Sequence, residues 1–223
     1  MFCSKRRLTI RCSRLLVQRV LTWIICSKEP LSTDELLVAI SITEGDTEMD
    51  LDARPDEEGV LKWCSSLVRR TPDGGRLELA HFTVEEFLLA IDPSDQCSPY
   101  SRYKIIPADQ DLPLAKLCLT YLLFDDFRCN ELAEEADLDG FLDEYSFYNY
   151  AARFWVKHAF LHRSDADLLD LTKDFFDPSK TGKSQPWVTI ESVGGDFKQF
   201  VDQSILIPLS GEQGIFFAGV AGG

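Results

Sequence analysis

The sequence of 223 residues has no uninterrupted apolar run that approaches the roughly 20 residues of a membrane-spanning helix. Its seven cysteines are scattered and include no Cys-x-x-Cys pair, a pattern typical of a reducing compartment, so we expect a cytoplasmic protein. The Gly-x-Ser-x-Gly motif of hydrolases is absent, and no spacing of cysteine and histidine indicates nucleophilic catalysis. These absences predict a protein that has no membrane span and is not an enzyme.

Acidic side chains are missing from residues 1–28, which contain seven of the 23 lysines and arginines. The other residues therefore carry 16 basic side chains against 37 acidic ones, a formal charge of −21. An acidic body repels the phosphates of nucleic acids, so we expect no nucleic-acid partner. With 45% apolar residues the chain is nevertheless able to form an ordinary globular core.

The basic N-terminal segment is compatible with a targeting peptide or with the start of the fold. Gln18 and Arg19 interrupt the apolar core that a signal peptide needs. A stripe at helical spacing favours a core helix over residues 15–27; it consists of Leu16, Val20, Trp23 and Ile24. We therefore expect a basic tail over residues 1–14, followed by this helix.

Two further helices are predicted before a hairpin. Ser32 and Glu35 form a capping-box pattern that starts the second helix, which should run to about Ile40. The third helix has one apolar face, formed by Val60, Trp63, Cys64, Leu67 and Val68. Three helices followed by a β-hairpin is the order of elements in a winged helix.

The hairpin and the helix after it have the strongest local signals. Glycines in Pro72-Asp73-Gly74-Gly75 supply the positive φ that a tight turn needs between strands at residues 67–70 and 77–82. Thr83 is predicted to cap the following helix, with Glu86 as its partner in a capping box.

His81 is the one candidate for chemistry in this stretch. Alternation along the predicted strand places it on the same face as Leu77 and Leu79. Two interpretations are open: His81 packs against these leucines with a backbone hydrogen bond, or its imidazole contacts a ligand.

Three other patterns match known sites only in part. The acidic residues between positions 44 and 58 have spacings like those of a calcium loop, but Leu51 stands where the sharp turn needs glycine, which favours a solvated loop. Gly182-Lys183-Ser184 copies the last three positions of a phosphate-binding loop, but Asp177 stands where that loop needs its first glycine, which favours a polar loop. His158 and His162 lie one helical turn apart without a third ligand, which favours structural histidines over zinc. We predict no metal site and no catalytic residue.

The second half of the chain is predicted to be helical. Residues 92–113 contain four prolines and are expected to form a linker, and a helical domain follows over residues 114–200, with its last helix opening at Ser164. Its apolar stripes are more typical of a core than of a ligand cage; they comprise Leu114, Leu117, Cys118, Tyr121 and Leu122, and then Phe147, Tyr150, Ala151, Phe154, Trp155 and His158. The predicted fold class is mainly α: a winged helix of three helices plus a β-hairpin over residues 15–91, followed by an α-helical domain.

Five blocks, in this order and spacing, carry a resemblance: WIICSKEPLSTDELLVAIS, PDEEGVLKWCSSLV, LELAHFTVEEFLL, LAKLCLTYLLF and FYNYAARFWVKHAF. Together they resemble the segment that follows the NACHT NTPase domain in fungal NACHT and ankyrin-repeat proteins, whose first part is a GPI inositol-deacylase winged-helix domain. The resemblance covers most of residues 15–163. Residues 201–223 look like the start of a truncated ankyrin-type repeat. The lipase activity in the family's name is not implied, because the lipase machinery is not in this sequence.

The resemblance implies a non-catalytic regulatory and protein-interaction module of a STAND-type signalling protein, a conformational switch segment between an NTPase domain and a repeat array. The block Leu79-Ala80-His81-Phe82-Thr83-Val84 is similar to the Met-His-Asp motif of plant resistance proteins, whose histidine contacts ADP, so His81 is a nucleotide-sensor candidate. The sequence lacks the NACHT domain, and a lone imidazole cannot hold a triphosphate. We therefore expect no cofactor unless a NACHT partner supplies ADP or ATP.

The partners implied by the resemblance are proteins, either a NACHT NTPase domain or ankyrin repeats. One alternative is a nucleic-acid-binding winged helix, although the predicted third helix is not basic. The other alternative is a structural fragment without an independent function.

Overall fold

The computed structural model describes residues 3–50, 54–92, 94, 98–127 and 138–177, with the backbone alone for residues 3–13 and 138–140. This part of the chain is mainly helical, as predicted, with a single β-hairpin. Its elements are α1 (Cys3–Cys26), α2 (Thr33–Ala39), α3 (Glu57–Cys64), β1 (Val68–Arg70), β2 (Leu77–Leu79), α4 (Phe82–Ala90), α5 (Pro107–Leu122), α6 (Leu138–Glu144), α7 (Tyr148–Ala159) and α8 (Ala166–Phe175).

The capping box predicted for the second helix is present. The Ser32 hydroxyl accepts a hydrogen bond from the Glu35 amide at 3.2 Å, and the Ser32 amide donates to the Glu35 carboxylate at 2.7 Å. These two bonds satisfy amides that the start of a helix leaves unpaired. α2 ends at Ala39, so both of its predicted limits are confirmed.

α1 is longer than predicted. It begins at Cys3 rather than at residue 15, so the stretch expected to be a basic tail is helical from its third residue. Residues 3–26 contain neither proline nor glycine, and extending an existing helix costs much less than starting one. The half that packs in the core, with Val20, Leu21 and Trp23 buried, can therefore propagate the helix towards the N-terminus.

α3 buries less of its predicted face than expected. Val60 and Cys64 are buried, but Trp63 is 43% exposed, so the predicted apolar face is buried only in part. The helix ends at Cys64, and Ser65 adopts a φ of +51° that breaks the helical period. Val68 still reaches the core, as part of β1 instead of the helix.

The hairpin lies where it was predicted, with shorter strands. β1 and β2 are antiparallel, with Val68 opposite Leu79 and Arg70 opposite Leu77. Gly74 has a φ of +74°, the left-handed conformation for which glycine is suited. β2 ends at Leu79 instead of residue 82 because the chain turns into α4 directly afterwards.

The prolines of residues 92–113 do not prevent a helix there. A 3₁₀ turn lies at Ser101–Tyr103 and α5 begins at Pro107, so the predicted linker is helical over its last third. Pro107 sits in the first turn, where its missing N–H would have no helical partner in any case. Pro113 lies further in and gives up one backbone bond, yet the helix continues because its following face is buried.

The predicted stripes of the second half are confirmed as core. Buried positions on α5 include Leu114, Cys118, Tyr121 and Leu122, and those at or on α7 include Phe147, Tyr150, Ala151, Phe154, Trp155 and His158. α5 packs against α7 and α8. α8 starts at Ala166 with Asp165 as its N-cap, whose carboxylate accepts from the Leu168 amide at 2.9 Å, so the predicted opening at Ser164 is wrong by one residue.

The winged-helix part and the helical part share one continuous core. Trp23 of α1 is 1% exposed, and its ring meets those of Phe147 and Tyr150 edge-on at centroid distances of 5.4 and 5.9 Å. The boundaries predicted between a winged-helix domain and a helical domain stay a prediction, but no layer of solvent separates the two parts at this contact.

Several predictions fall outside the described residues. They concern Leu51 in the acidic loop, the Gly182-Lys183-Ser184 segment, the end of the helical domain at residue 200 and the repeat start at residues 201–223. Of the helices that the structure describes, none has the length and apolarity needed to cross a bilayer.

Candidate functional site

His81 lies at the junction between β2 and α4, where it is the N-cap of the helix. Its backbone is extended, with φ −156° and ψ 147°, and its carbonyl accepts the first helical bond from Val84 at 3.0 Å. The imidazole Nδ1 accepts a hydrogen bond from the Thr83 amide at 3.2 Å and lies 2.9 Å from the Thr83 hydroxyl. Thr83 was predicted to be the N-cap of this helix. The structure shows that His81, two residues earlier, is the N-cap and that the Thr83 amide donates to it.

The capping bond defines the tautomer of His81. A backbone amide can only donate, so Nδ1 acts as an acceptor and the proton of the neutral ring is on Nε2. Nε2 has no hydrogen-bond partner among the described residues, and the side chain is exposed. The junction therefore presents one N–H donor to the solvent.

The expected packing of His81 against the two leucines is not found. Leu77 is buried and Leu79 is half-buried, whereas His81 is exposed, because the chain leaves the strand at Ala80 and the alternation of faces ends there. The ring of His81 instead contacts Phe82, with the two centroids 4.3 Å apart and the planes tilted by 36°. The interpretation in which the imidazole is available to a ligand fits this geometry better.

Exposed aromatic side chains lie on α4 and in the loop after it. Phe82 is 65% exposed, and Phe87 and Tyr100 form an edge-on pair at 5.7 Å that is also exposed. We call His81 and Phe82, whose rings are in contact, the α4 surface. Large apolar groups that stand clear of the core commonly mark a contact surface.

The charges on α4 itself do not complete a nucleotide site. Glu85 and Glu86 are exposed on the helix, and its nine residues include no lysine or arginine. A single neutral N–H donor can bond one phosphate oxygen but cannot balance the charge of a diphosphate. Within the residues that the structure describes, no three His, Cys, Asp or Glu side chains converge to hold a metal ion.

Two of the four basic side chains of the wing and α3 are paired with carboxylates. Arg69 pairs with Glu78 at 2.8 Å, and Arg70 forms an ion pair and hydrogen bond with Glu57. Such pairs neutralise the arginines that a DNA-binding winged helix would turn towards phosphates.

A second polar arrangement, which sequence reasoning missed, lies between the two halves of the chain. His158 on α7 is 0% exposed; its Nδ1 lies 2.8 Å from Asp111 on α5, and its Nε2 lies 3.0 Å from the hydroxyl of Tyr150. Lys28, after α1, donates its amide to Tyr150 and its ammonium to Asp111. Both ring nitrogens of His158 are therefore occupied, which supports a structural histidine rather than a zinc ligand.

No local signal could have identified this arrangement. Asp111 was predicted to lie in a linker, and it is separated from its partners by 47 residues or more. The only hint was the position of His158 and Tyr150 in one helical stripe, which predicts burial but no partner.

Comparison with protein families agrees with this architecture. Residues 5–98 match the family model of the GPI inositol-deacylase, winged helix domain. We refer to this matched segment as the winged helix domain, by its similarity to that family model. No curated protein and no solved structure is significantly similar to the chain.

The family match begins earlier and ends later than the predicted bounds of residues 15–91. The match includes all but the first two residues of α1, which agrees with the helical structure of that segment, and it extends past α4 to residue 98. His81 and the aromatic residues of α4 therefore belong to the winged helix domain, whereas Asp111, Tyr150 and His158 lie outside the matched segment.

Proposed function

We propose that this chain is a non-catalytic interaction module of a NACHT and ankyrin-repeat protein of the STAND type, in which it acts as a switch segment between the NTPase domain and the repeats. The winged helix family and the ordered resemblance of the five sequence blocks support the proposal. The observation on which it chiefly rests is the exposed His81, held by its capping bond with Nε2–H directed away from the helix cap.

In this proposal the α4 surface docks on the nucleotide-bound NTPase domain. Phe82 would supply the apolar contact beside His81, and His81 Nε2–H would donate to a phosphate oxygen of ADP. The cap orients the imidazole before binding, so little side-chain entropy is lost when the donor meets its acceptor. The cations and the magnesium site that the nucleotide needs would come from the partner.

A calorimetric titration of the chain with a NACHT domain tests this docking. The NACHT domain is taken from a protein that contains the resembling segment, and it is loaded with ADP, with a non-hydrolysable ATP analogue or with neither. We expect the tightest binding in the ADP form. His81→Asn keeps a capping acceptor, but its side chain is shorter and its amide N–H does not reach the position of His81 Nε2, so it should weaken binding to the ADP form about tenfold, the size expected for one hydrogen bond to a charged group.

Two further variants separate the donor from the apolar contact. Phe82→Ala should weaken binding in every nucleotide state, because it removes apolar area whatever the nucleotide. Leu161→Ala is the matched control: Leu161 is 74% exposed but lies between α7 and α8, so its loss should leave the affinity unchanged. Absence of binding in all three states, or equal affinity of His81→Asn and the parent chain for the ADP form, would contradict the proposal.

A further inference from the structure

A closed ring of hydrogen bonds connects the winged helix domain to the helical segment. The Lys28 amide donates to the Tyr150 hydroxyl at 2.9 Å, the Tyr150 oxygen lies 3.0 Å from His158 Nε2, and His158 Nδ1 lies 2.8 Å from Asp111 Oδ1. The Lys28 ammonium closes the ring by donating to the same Asp111 oxygen at 2.7 Å. Lys28, two residues after the end of α1, is thereby bound to both α5 and α7.

The donor and the acceptor of each bond in the ring can be assigned by starting from the carboxylate of Asp111. An ionised carboxylate only accepts, so His158 donates to Asp111 through Nδ1–H. The neutral ring then has an unprotonated Nε2, which accepts from the Tyr150 hydroxyl. The oxygen of that hydroxyl keeps a lone pair for the Lys28 amide, so each donor has one acceptor.

Because the ring is buried, a donor or acceptor that loses its partner there cannot easily be hydrated instead. His158 is 0% and Tyr150 3% exposed, so water has little access to replace a lost partner. If Nε2 gains a proton, two donors face each other across the 3.0 Å between Nε2 and the hydroxyl. The hydroxyl must then turn away from His158, and its proton competes with the Lys28 amide.

We propose that Lys28, Tyr150, His158 and Asp111 form an acid-sensitive latch that holds the segment after α1 of the winged helix domain on α5 and α7. At neutral pH the ring is complete and the latch is closed. Protonation of His158 breaks the bond between the Lys28 amide and Tyr150 and loosens the segment after α1, which the ion pair between Lys28 and Asp111 still retains. The inference does not depend on the proposed docking to a NACHT domain.

Burial is the main factor that opposes protonation of His158. Burial lowers the pKa of His158, the hydrogen bond to Asp111 acts in the opposite direction, and the Lys28 ammonium lowers the pKa further. Burial alone would raise the pKa of Asp111, but hydrogen bonds from His158 and Lys28 hold it below its ordinary value. Asp111 therefore remains the acceptor while His158 titrates.

Other titratable groups near the ring do not replace His158 as the proton acceptor. Burial raises the pKa of Cys26, on α1, to about 11, so its thiol stays neutral in mild acid. Cys118 on α5 is fully buried and its thiol pKa is also raised. Glu35 on α2 acts on Tyr150 from a distance and is held in the capping box. From α1 the ring of Trp23 faces His158 edge-on at 6.4 Å.

The segment after α1 would loosen without unfolding the molecule. Trp23 keeps its contacts with Phe147 and Tyr150, which do not depend on protonation. Arg153 on α7 also pairs with Glu29 at 3.4 Å, a partly exposed contact that weakly retains the segment. The opening is therefore expected at the residues after α1 first.

Nitrogen-15 NMR of the full chain tests the ring directly, since the sequence has only three histidines. At pH 7.5 we expect His158 as the Nδ1–H tautomer and His81 as the Nε2–H tautomer. Amide exchange of Lys28, corrected for the intrinsic rate at each pH, should lose about tenfold in protection between pH 7.5 and pH 5.0, the size expected for one buried hydrogen bond.

Three variants test whether Tyr150 and His158 cause the change in protection of the Lys28 amide. Tyr150→Phe removes the acceptor, so the Lys28 amide should be poorly protected at both pH values; His158→Gln cannot gain a proton, so any protection it shows should not change with pH. His162→Gln, the matched control on the same part of the chain, should behave like the parent chain. An Nε2–H tautomer at His158, a Lys28 amide whose protection is the same at both pH values, or an unchanged pH dependence in His158→Gln and Tyr150→Phe would overturn the proposal.

Discussion

Two histidines in this chain hold opposite tautomers because their neighbours differ. His81 accepts from a backbone amide through Nδ1 and leaves Nε2–H exposed, whereas His158 donates to Asp111 through Nδ1 and accepts from Tyr150 through Nε2. The first is open to a ligand and the second is fully enclosed. The chemical role of an imidazole here follows from its partners rather than from its residue type.

The cap made by His81 has a measurable effect on stability. His81→Ala removes the acceptor for the Thr83 amide and should lower the free energy of unfolding by about 1 kcal/mol. His81→Asn should lose less than about half of that, because asparagine is a good N-cap. Urea unfolding at pH 7.5 measures both; an equal loss in the two variants would show that the cap contributes nothing.

The buried His158 makes stability depend on pH in a defined direction. Its pKa is lowered in the folded state, so the unfolded chain binds more protons once the pH falls below the ordinary value of about 6.5. Stability is thus fully present above that value and declines as the pH falls towards the lowered pKa, by at most about 1.4 kcal/mol per pH unit. Chemical unfolding between pH 7.5 and 5.0 should show this decline in the parent chain and a smaller one in His158→Gln. Parallel curves for the two proteins would contradict this.

Helix starts in this chain are specified by short polar motifs. An error of one or two residues in locating such a motif assigns the N-cap to the wrong side chain. Ser32 and Glu35 were predicted correctly because each bond of a capping box spans three residues. At α4 the same type of pattern pointed to Thr83, but an imidazole two residues earlier makes the cap. A histidine is not among the residues that usually fill this position.

At the start of α8 a single carboxylate has two roles. Asp165 caps the helix and also pairs with Lys116 of α5 at 2.8 Å, whose side chain is only 10% exposed. Asp165→Ala should therefore cost about 1 to 2 kcal/mol, and Asp165→Asn, which keeps a capping oxygen, should cost less. Ser164→Ala is the control and should be neutral. Thermal unfolding of the three variants checks the order, and a larger loss in Ser164→Ala than in Asp165→Ala would refute it.

Across the whole molecule, Trp23 is the clearest link between the winged helix domain and the helical segment. Its indole is buried among side chains from both parts, so Trp23→Ala should lower the free energy of unfolding by about 3 to 5 kcal/mol. Because the core is continuous, the parent chain should unfold in one transition when followed by helix content and by aromatic signals. Two separate transitions in the parent chain would show that the two parts are independent.

Sequence patterns determined those features whose causes lie within a few residues. Periodic apolar stripes predicted the buried faces of α5 and α7, the turn glycines predicted the hairpin, and the capping box predicted the start of α2. The order of these elements was enough to predict a winged helix followed by helices. His81 could be selected by its place in the motif, although its exposure could not.

Tertiary packing decided the rest, because the interactions concerned join positions far apart in the chain. The amide of Lys28 meets Tyr150 across 122 residues, and Asp111 meets His158 across 47. No local pattern encodes such a partner; it depends on how α1, α5 and α7 cross in space. His81 is solvent-exposed for a related reason: the strand ends two residues before it, since the chain can pair its amides in a helix there instead of in the hairpin.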